Sequence, residues 1–401
     1  MYLRKVIIYL IAIAIGVVFG LSGIELLISI GKCCAEIFAR ILKCVGIPIV
    51  SLSVIVALSS YGSDNKSMVA ILKKSWLYTL TTTVVAASIA ALLYYIISPG
   101  NVTKADAISP TLPTSYSKIV MDIVPDSILK SFLNHNVLSV LLISAVIGVS
   151  IGFIKETNAK KTIILFFKGM QDIFFVIVKF IVKIIPIGLF GFIVLSIQEF
   201  KDEESLFSMG KYFFVIVIAN LLQGTIVLPL LLIIKGLKPL KVFKAMLPAV
   251  SLAFFSKSSS VTLPVTINTI EKNLEVDPKI SRFVLPLCTT INMNACAAFI
   301  FVTSIYMMQN HGIEITVLTM LSWIFISTLA AIGNAGVPMG CYFMTVSLLS
   351  AMDIPIALMG IVLPICNIID TIETAINVWS DSCITTVINK EIKNTPSITK
   401  T

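Results

Sequence analysis

Charge is what this sequence has least of: only 13% of its 401 residues are Asp, Glu, Lys or Arg, against about a quarter in soluble domains. With 57% hydrophobic residues and a mean hydropathy of +1.00, that scarcity excludes a soluble globule and indicates an integral membrane protein with several helical spans. Histidine is nearly missing as well. His135 and His311 stand alone in polar connections, which removes histidine-based zinc centres and Ser-His-Asp chemistry. Cysteines are present (Cys33, Cys34, Cys44, Cys288, Cys296, Cys341, Cys366 and Cys383), but none forms a CxxC pair and most lie in apolar runs. They read as small buried apolar groups, not as a metal or disulfide framework. No small-x-small cleavage site follows Met1 to Lys5, and the apolar run behind it is too long for a signal peptide, so it reads as the first span.

What is there follows a regular plan. Apolar segments recur at 5–29, 35–60, 70–98, 122–154, 162–197 and 211–235, each long enough to cross the hydrocarbon of a bilayer. The net charge of +9 could suggest nucleic acid, yet the basic residues are dispersed between the apolar segments and act as topology signals. Lysines gather around 63–74, 155–168 and 235–244, whereas 98–118 is Ser/Thr/Pro-rich and 199–211 carries Glu199, Asp202, Glu203 and Glu204. The positive-inside rule puts the lysine-rich connections and both termini on the cytoplasmic side of an inner cell membrane.

After Lys244 the pattern changes. Apolar residues at 245–256 give way to Lys257-Ser-Ser-Ser260, then to a second helical stretch ending near the polar 271–282 connection. Neither half spans comfortably, so the pair reads as a helical hairpin that dips into the membrane and returns. A span follows from Phe283 to Met308, broken at Asn292-Met293-Asn294. The device then repeats, with Gly333 to Gly340 interrupting 315–351 and a last span behind it. Interrupted segment plus span, twice over in opposite orientation, is the mark of an inverted-repeat transporter. Broken backbone at that depth must be buried in protein or line an aqueous cavity.

That last span carries the strongest functional signal. Asp370, Glu373, Thr374, Asn377 and Asp381 fall on one face of a helix, with Ile372, Ala375, Ile376 and Val378 pointing elsewhere. Each carboxylate facing lipid there would cost on the order of 3 kcal/mol, so the stripe must face protein, water or a bound cation. Thr79, Thr81, Thr82 and Thr83 form a second polar group in the third segment; hydroxyls bonding back to their own helix and cation ligands are both open readings.

Lys257 to Thr266, Thr290 to Asn294, Gly333 to Pro338 and Asp370 to Asp381 resemble, in order and spacing, four signature blocks of the dicarboxylate/amino acid:cation symporter family, which carries glutamate, aspartate and neutral amino acids. Pro99-Gly100, Val124-Pro125 with Asn134 to Asn136, and Pro186-Ile-Gly188 extend the match along nearly the whole chain. The resemblance implies an elevator-type homotrimer with eight transmembrane helices, two re-entrant hairpins and no enzymatic chemistry. Residues 1–69 and 101–205 would be mainly scaffold, and 70–100 and 206–401 mainly transport core, with hairpins at 245–278 and 315–351 and the last span at 355–388. It further implies that backbone at Ser258 and Ser259 holds the substrate carboxylate and that Gly336 and Val337 close the gate. Asp370 would meet the amino group, with Thr374 and Asn377 as polar contacts. One Na⁺ site would use Asp381 with the backbone of Asn292 and Asn377; another would use Thr82, Thr83 and the Asn292 side chain, with Asn294 beside them.

Two departures stand out. The family aspartate two residues beyond the motif asparagine is Asn294 here, which removes a negative ligand. Acidic-substrate members carry an arginine where this chain has Glu373. A like charge there disfavours a dicarboxylate and points to a small neutral amino acid carried with Na⁺, or with H⁺. A dicarboxylate with Glu373 protonated, a cationic amino acid, and an ion channel are the other readings.

Overall fold

The computed structural model describes residues 2–59, 66–101, 125–133, 137–199, 203–334, 339–352, 354–355 and 358–393, and every regular element among them is helical. Helix α1 (Tyr2–Leu21) is followed by α2 (Glu25–Leu58), α3 (Lys66–Ile97), α4 (Ile128–Leu133), α5 (Val137–Gly152), α6 (Thr157–Glu199) and α7 (Glu203–Leu222). The first break departs from the apolar pattern, which runs unbroken to residue 29. Gly23 turns the chain at φ +66°, a backbone state open to glycine, so α2 begins at Glu25 inside the apolar run. A π-helical turn, Gln223–Val227, joins α7 to α8 (Leu228–Ile234).

The second half begins with α9 (Pro239–Ser256) and α10 (Ser259–Leu274), a hairpin whose tip is Lys257 and Ser258. Lys257 sits in the left-handed region (φ +53°) and Ser258 caps α10 by accepting the Val261 N–H. Pro264 lies inside α10 and not at the tip. Helix α11 (Pro278–Ile291) starts behind an Asp277 cap with Pro at its first position, and α12 (Asn294–Asn310) continues its line beyond an unwound Asn292-Met293. Then come α13 (Val317–Ile332), capped by Thr316, α14 (Gly340–Ala351) and α15 (Met359–Lys393).

Two groups of helices account for most of the packing. Helices α1, α2, α5 and α6 pack chiefly on one another, and α3 with α7 to α15 do the same. In the first group α6 approaches α2 so closely that a Cβ on Gly191 would lie 2.4 Å from the Ala35 backbone nitrogen; small residues permit such contacts where lipid supplies no competing hydrophobic drive. The seam between the groups runs where α2 meets α14 and α6 meets α15, and there a Cβ on Gly360 would enter the Phe192 ring. Every residue of α12 from Asn294 to Met308 is buried, so this helix is the centre of the second group and does not face lipid. Four stretches are apolar and long enough to cross a membrane among the described residues: Ala70–Ile97, Phe207–Ile234, Pro239–Ser256 and Pro278–Asn310.

Candidate functional site

The polar stripe on α15 is turned wholly inward. Asp370, Glu373, Thr374, Asn377, Ser380 and Asp381 are all buried, Glu373 being 1% exposed, so an outward-facing role for it is excluded. The face of α15 that carries them meets the unwound Asn292-Met293 and the start of α12. Asn377 Oδ1 accepts the Ala295 N–H at 3.0 Å, satisfying a backbone donor that the break leaves without a helical partner. The Asn377 amide also points to Met293 Sδ and Cys296 Sγ, each at 3.4 Å. Thr374 turns its hydroxyl back to the Asp370 carbonyl at 2.7 Å.

Asp370 lies under both interrupted segments. The Met339 backbone and the charge of Lys257, one at each tip, both act electrostatically on its carboxylate. Met339, like Lys257, is a non-glycine residue in the left-handed region (φ +59°), a strained state that marks the two tips flanking this carboxylate. Among the described residues Asp370 Oδ2 has no hydrogen-bond partner, nor does Glu373 Oε1. Two buried carboxylate oxygens without donors are expensive unless a ligand supplies the donors. Ser258 and Ser259 are buried at the α9–α10 tip, and the Ser258 hydroxyl is engaged as the helix cap. Gly336 and Val337 lie outside the described residues.

One turn further along, oxygen atoms crowd together. Thr82 Oγ1 faces four acceptors: the Tyr78 carbonyl at 2.8 Å, the Thr79 carbonyl at 3.1 Å, Asn294 Oδ1 at 3.2 Å and Asn292 Oδ1 at 3.5 Å. Thr83 Oγ1 lies 2.7 Å from both the Thr79 carbonyl and Asn294 Oδ1. Two hydroxyl protons cannot serve that many acceptors. The excess of neutral oxygens fits a hard monovalent cation, and it joins both readings of the threonines: each bonds to its own helix and also faces Asn292 and Asn294. Across the group, Asn294 Nδ2 donates to Ser380 Oγ at 2.6 Å, while Asn292 Nδ2 donates to Ser380 Oγ at 2.9 Å and to Asp381 Oδ1 at 2.8 Å. Asp381 is thus tied to the threonine group through one amide.

Several participants carry no signal of their own in the sequence. Ser380 joins the two asparagines to the stripe. Gln223, in the π-turn, donates to the Thr82 carbonyl at 3.2 Å, and π-turns occur at such positions. Trp379 packs and does not reach the stripe: its Nε1–H donates to the Gly224 carbonyl at 3.0 Å, and its ring meets Phe243 edge-on. Asn334 reaches Cys296 Sγ at 2.9 Å, and a Cβ on Gly340 would lie 1.7 Å from Asn334 Oδ1, so any other residue there would displace the Asn334 side chain.

Outside the apolar stretch of α15, Glu391 receives the ammonium groups of Lys74 and of Lys235, the latter at 2.7 Å, and the Tyr78 hydroxyl. Partial burial pushes its carboxyl upward, but these hydrogen bonds outweigh it and hold the group down at about 2.

The model of the "Sodium:dicarboxylate symporter family" matches residues 6–391. Among curated proteins, a bovine protein (Bos taurus) named neutral amino acid transporter A is 31% identical over 274 residues, 68% of this chain and 51% of that protein. A mouse protein (Mus musculus) named excitatory amino acid transporter 3 is 32% identical over 256 residues, 64% of this chain and 49% of that protein. The chain spans about half the length of these relatives.

Proposed function

The chain belongs to the sodium:dicarboxylate symporter family, and on that premise we propose that it is a secondary active symporter that takes up a small neutral amino acid together with Na⁺. The observation that carries the substrate class is the pair of buried carboxylates that each keep one oxygen without a donor among the described residues. Asp370 Oδ2 suits an ammonium group, and Glu373, one turn on, occupies the place where acidic-substrate members carry a cation. A second substrate carboxylate would meet a like charge or compete for the proton that neutralises it. In its protonated form Glu373 donates a hydrogen bond to a substrate hydroxyl or packs against a small side chain, and it can carry a proton with the substrate.

Coupling follows from shared groups. The Asn292-Met293 break links the oxygen cluster at Thr82, Thr83 and Asn294 to Asp381, and its next residues, Ala295 and Cys296, touch Asn377 and Glu373. An ion that orders those oxygens orders the break, and the break positions the substrate face, so each ligand favours the other's binding by the same factor. The packing supports a division in which α1, α2, α5 and α6 form a scaffold while α3 and α7 to α15 form a moving core. Helices α9–α10 and α13–α14 would be the re-entrant hairpins, within a homotrimer of eight-span subunits in the cell membrane.

The test is counterflow in liposomes loaded with unlabelled serine, alanine or aspartate. Acceleration of labelled alanine or serine by trapped neutral amino acid, in Na⁺ and not in choline, is expected. High-affinity aspartate uptake at about pH 8, where a carboxyl without unusual stabilisation is ionised, would sink the assignment of Glu373 to the substrate face. Rapid flux without counterflow would indicate a channel.

A further inference from the structure

Beside the substrate face the chain assembles a donor set of another chemical character. Cys296 on α12, Cys341 on α14 and Glu373 on α15 come together with Cys296 Sγ, Cys341 Sγ and a Glu373 carboxylate oxygen all within 4.8 Å of one another. Cys341 Sγ donates to Glu373 Oε2 at 2.9 Å, and Cys296 Sγ lies 3.9 Å from the same oxygen. All three residues are buried, and Glu373 Oε1 has no partner among the described residues. Cys366, also on α15, is a third buried cysteine of that helix region but does not belong to the group. The Asn334 and Asn377 amides both point at Cys296 Sγ and stand ready to donate to a thiolate.

We propose that Cys296, Cys341 and Glu373 form a binding site for a thiophilic divalent cation of the zinc and cadmium class, and that the bound ion pins α14 to α12 and α15. Zinc bonds of about 2.3 Å to sulfur and about 2.0 Å to oxygen in a tetrahedron put S and O atoms about 3.5 Å apart. The two S···O distances here, 2.9 and 3.9 Å, straddle that value. Small rotamer changes close the set of three, and a water or Glu373 Oε1 takes the fourth position. Sodium would not choose these soft donors, and the oxygen cluster at Thr82, Thr83 and Asn294 would not choose zinc, so the two sites are chemically separate. Both thiols, and Glu373 where it is protonated, lose their protons to solvent when the metal binds, and no redox step is involved. Because Cys341 is the second residue of α14, just beyond the interrupted backbone, an ion held here fixes that arm to the core and stops its movement.

The site stands on its donor geometry; only its effect on transport rests on the symporter reading. Binding and uptake are therefore read separately. The full chain carrying Cys33→Ser, Cys34→Ser and Cys44→Ser, which removes the accessible thiols, is titrated with Cd²⁺ while the ultraviolet sulfur-to-cadmium charge-transfer band is followed. One equivalent with a saturating band is expected, competed by Zn²⁺ and not by Ca²⁺. Cys296→Ser and Cys341→Ser should each weaken binding by about tenfold or more, Glu373→Gln should do so with the thiols intact, and Cys383→Ser should leave the band unchanged. Should the serine variants fail to fold, the ¹¹³Cd resonance of the parent chain reads the ligand set directly, and sulfur ligation is expected. No stoichiometric band, a band that survives loss of both Cys296 and Cys341, or an all-oxygen ¹¹³Cd shift would overturn the site. Stoichiometric binding that leaves Na⁺-driven uptake unimpaired would overturn the clamp, whereas absence of any uptake with binding intact would count against the transport reading instead.

Discussion

Replacing Asn294 by aspartate puts a negative charge into the group of oxygens around Thr82 and Thr83, and the structure allows the consequence to be worked out. The native carboxamide has two functions: Oδ1 accepts from Thr82 and Thr83 at 3.2 and 2.7 Å, and Nδ2 donates to Ser380 at 2.6 Å. Aspartate keeps the first and loses the second. It also brings a second carboxylate near Asp381, which is reached through the single amide of Asn292. At a separation of about 6 Å and an effective dielectric near 20, the two anions repel by about 3 kcal/mol, and desolvation of the new carboxylate adds several more. Without a suitable cation Asn294→Asp should be markedly less stable than the native chain. A Na⁺ at about 4 Å offers about 4 kcal/mol of attraction at the same dielectric, which offsets most of that loss. The variant's stability should therefore become steeply Na⁺-dependent, gaining about 2.7 kcal/mol at a hundredfold excess over its Kd. Thermal unfolding of purified protein is measured from choline chloride to NaCl at constant ionic strength. A lower midpoint in choline, recovery in Na⁺ but not in K⁺, and a Na⁺ dependence steeper than native by one ion are expected. A variant whose midpoint in choline equals the native one, or whose Na⁺ dependence is unchanged, would show that residue 294 does not face a cation site.

Asp381→Asn removes the charge bonded to Asn292, and should leave a folded, membrane-inserted protein that no longer accumulates substrate against a gradient; full Na⁺-driven accumulation would remove Asp381 from coupling. Asp370→Ala deletes the carboxylate oxygen that lacks a donor among the described residues, so calorimetry should find binding of all α-amino acids weakened alike, by about tenfold or more, and selective loss of one substrate would mean that it reads a side chain. Glu373→Gln should keep neutral amino-acid uptake with a flatter pH profile, while Glu373→Arg should shift preference toward aspartate in a competition assay. Glu391 is held at about 2, below its unfolded value, so the stability it contributes is present above about pH 4.5 and is lost as pH falls toward 2. Glu391→Gln should lower the free energy of unfolding at pH 7 by on the order of 2 kcal/mol, with a smaller difference from the native chain in acid. An equal deficit at both pH values would show that Lys74 and Lys235 do not depend on its charge.

Sequence by itself determined the class of this protein and the face of one helix. Scarce charge and long apolar segments dictate membrane spans, and the recurrence of Asp370, Glu373, Asn377 and Asp381 at helical spacing dictates an inward stripe, because both properties are local and periodic. The order of four motif blocks was enough to indicate the family. Boundaries were less legible, since the apolar run through residue 29 hides a turn that depends on the backbone state of Gly23. Tertiary structure alone decided which groups meet. Thr83 and Asn294 are 211 residues apart, and nothing in the third segment says that its threonines face an asparagine and not lipid. Glu391 gives no sign in the last turns of α15 that it will gather lysines from α3 and from the end of α8. Cysteine shows the same limit. In an apolar run Cys296 and Cys341 are indistinguishable from fillers, and only the packing of α12, α14 and α15 puts both sulfurs on one carboxylate, because a thiol's chemistry is set by its neighbours in space and not in the chain.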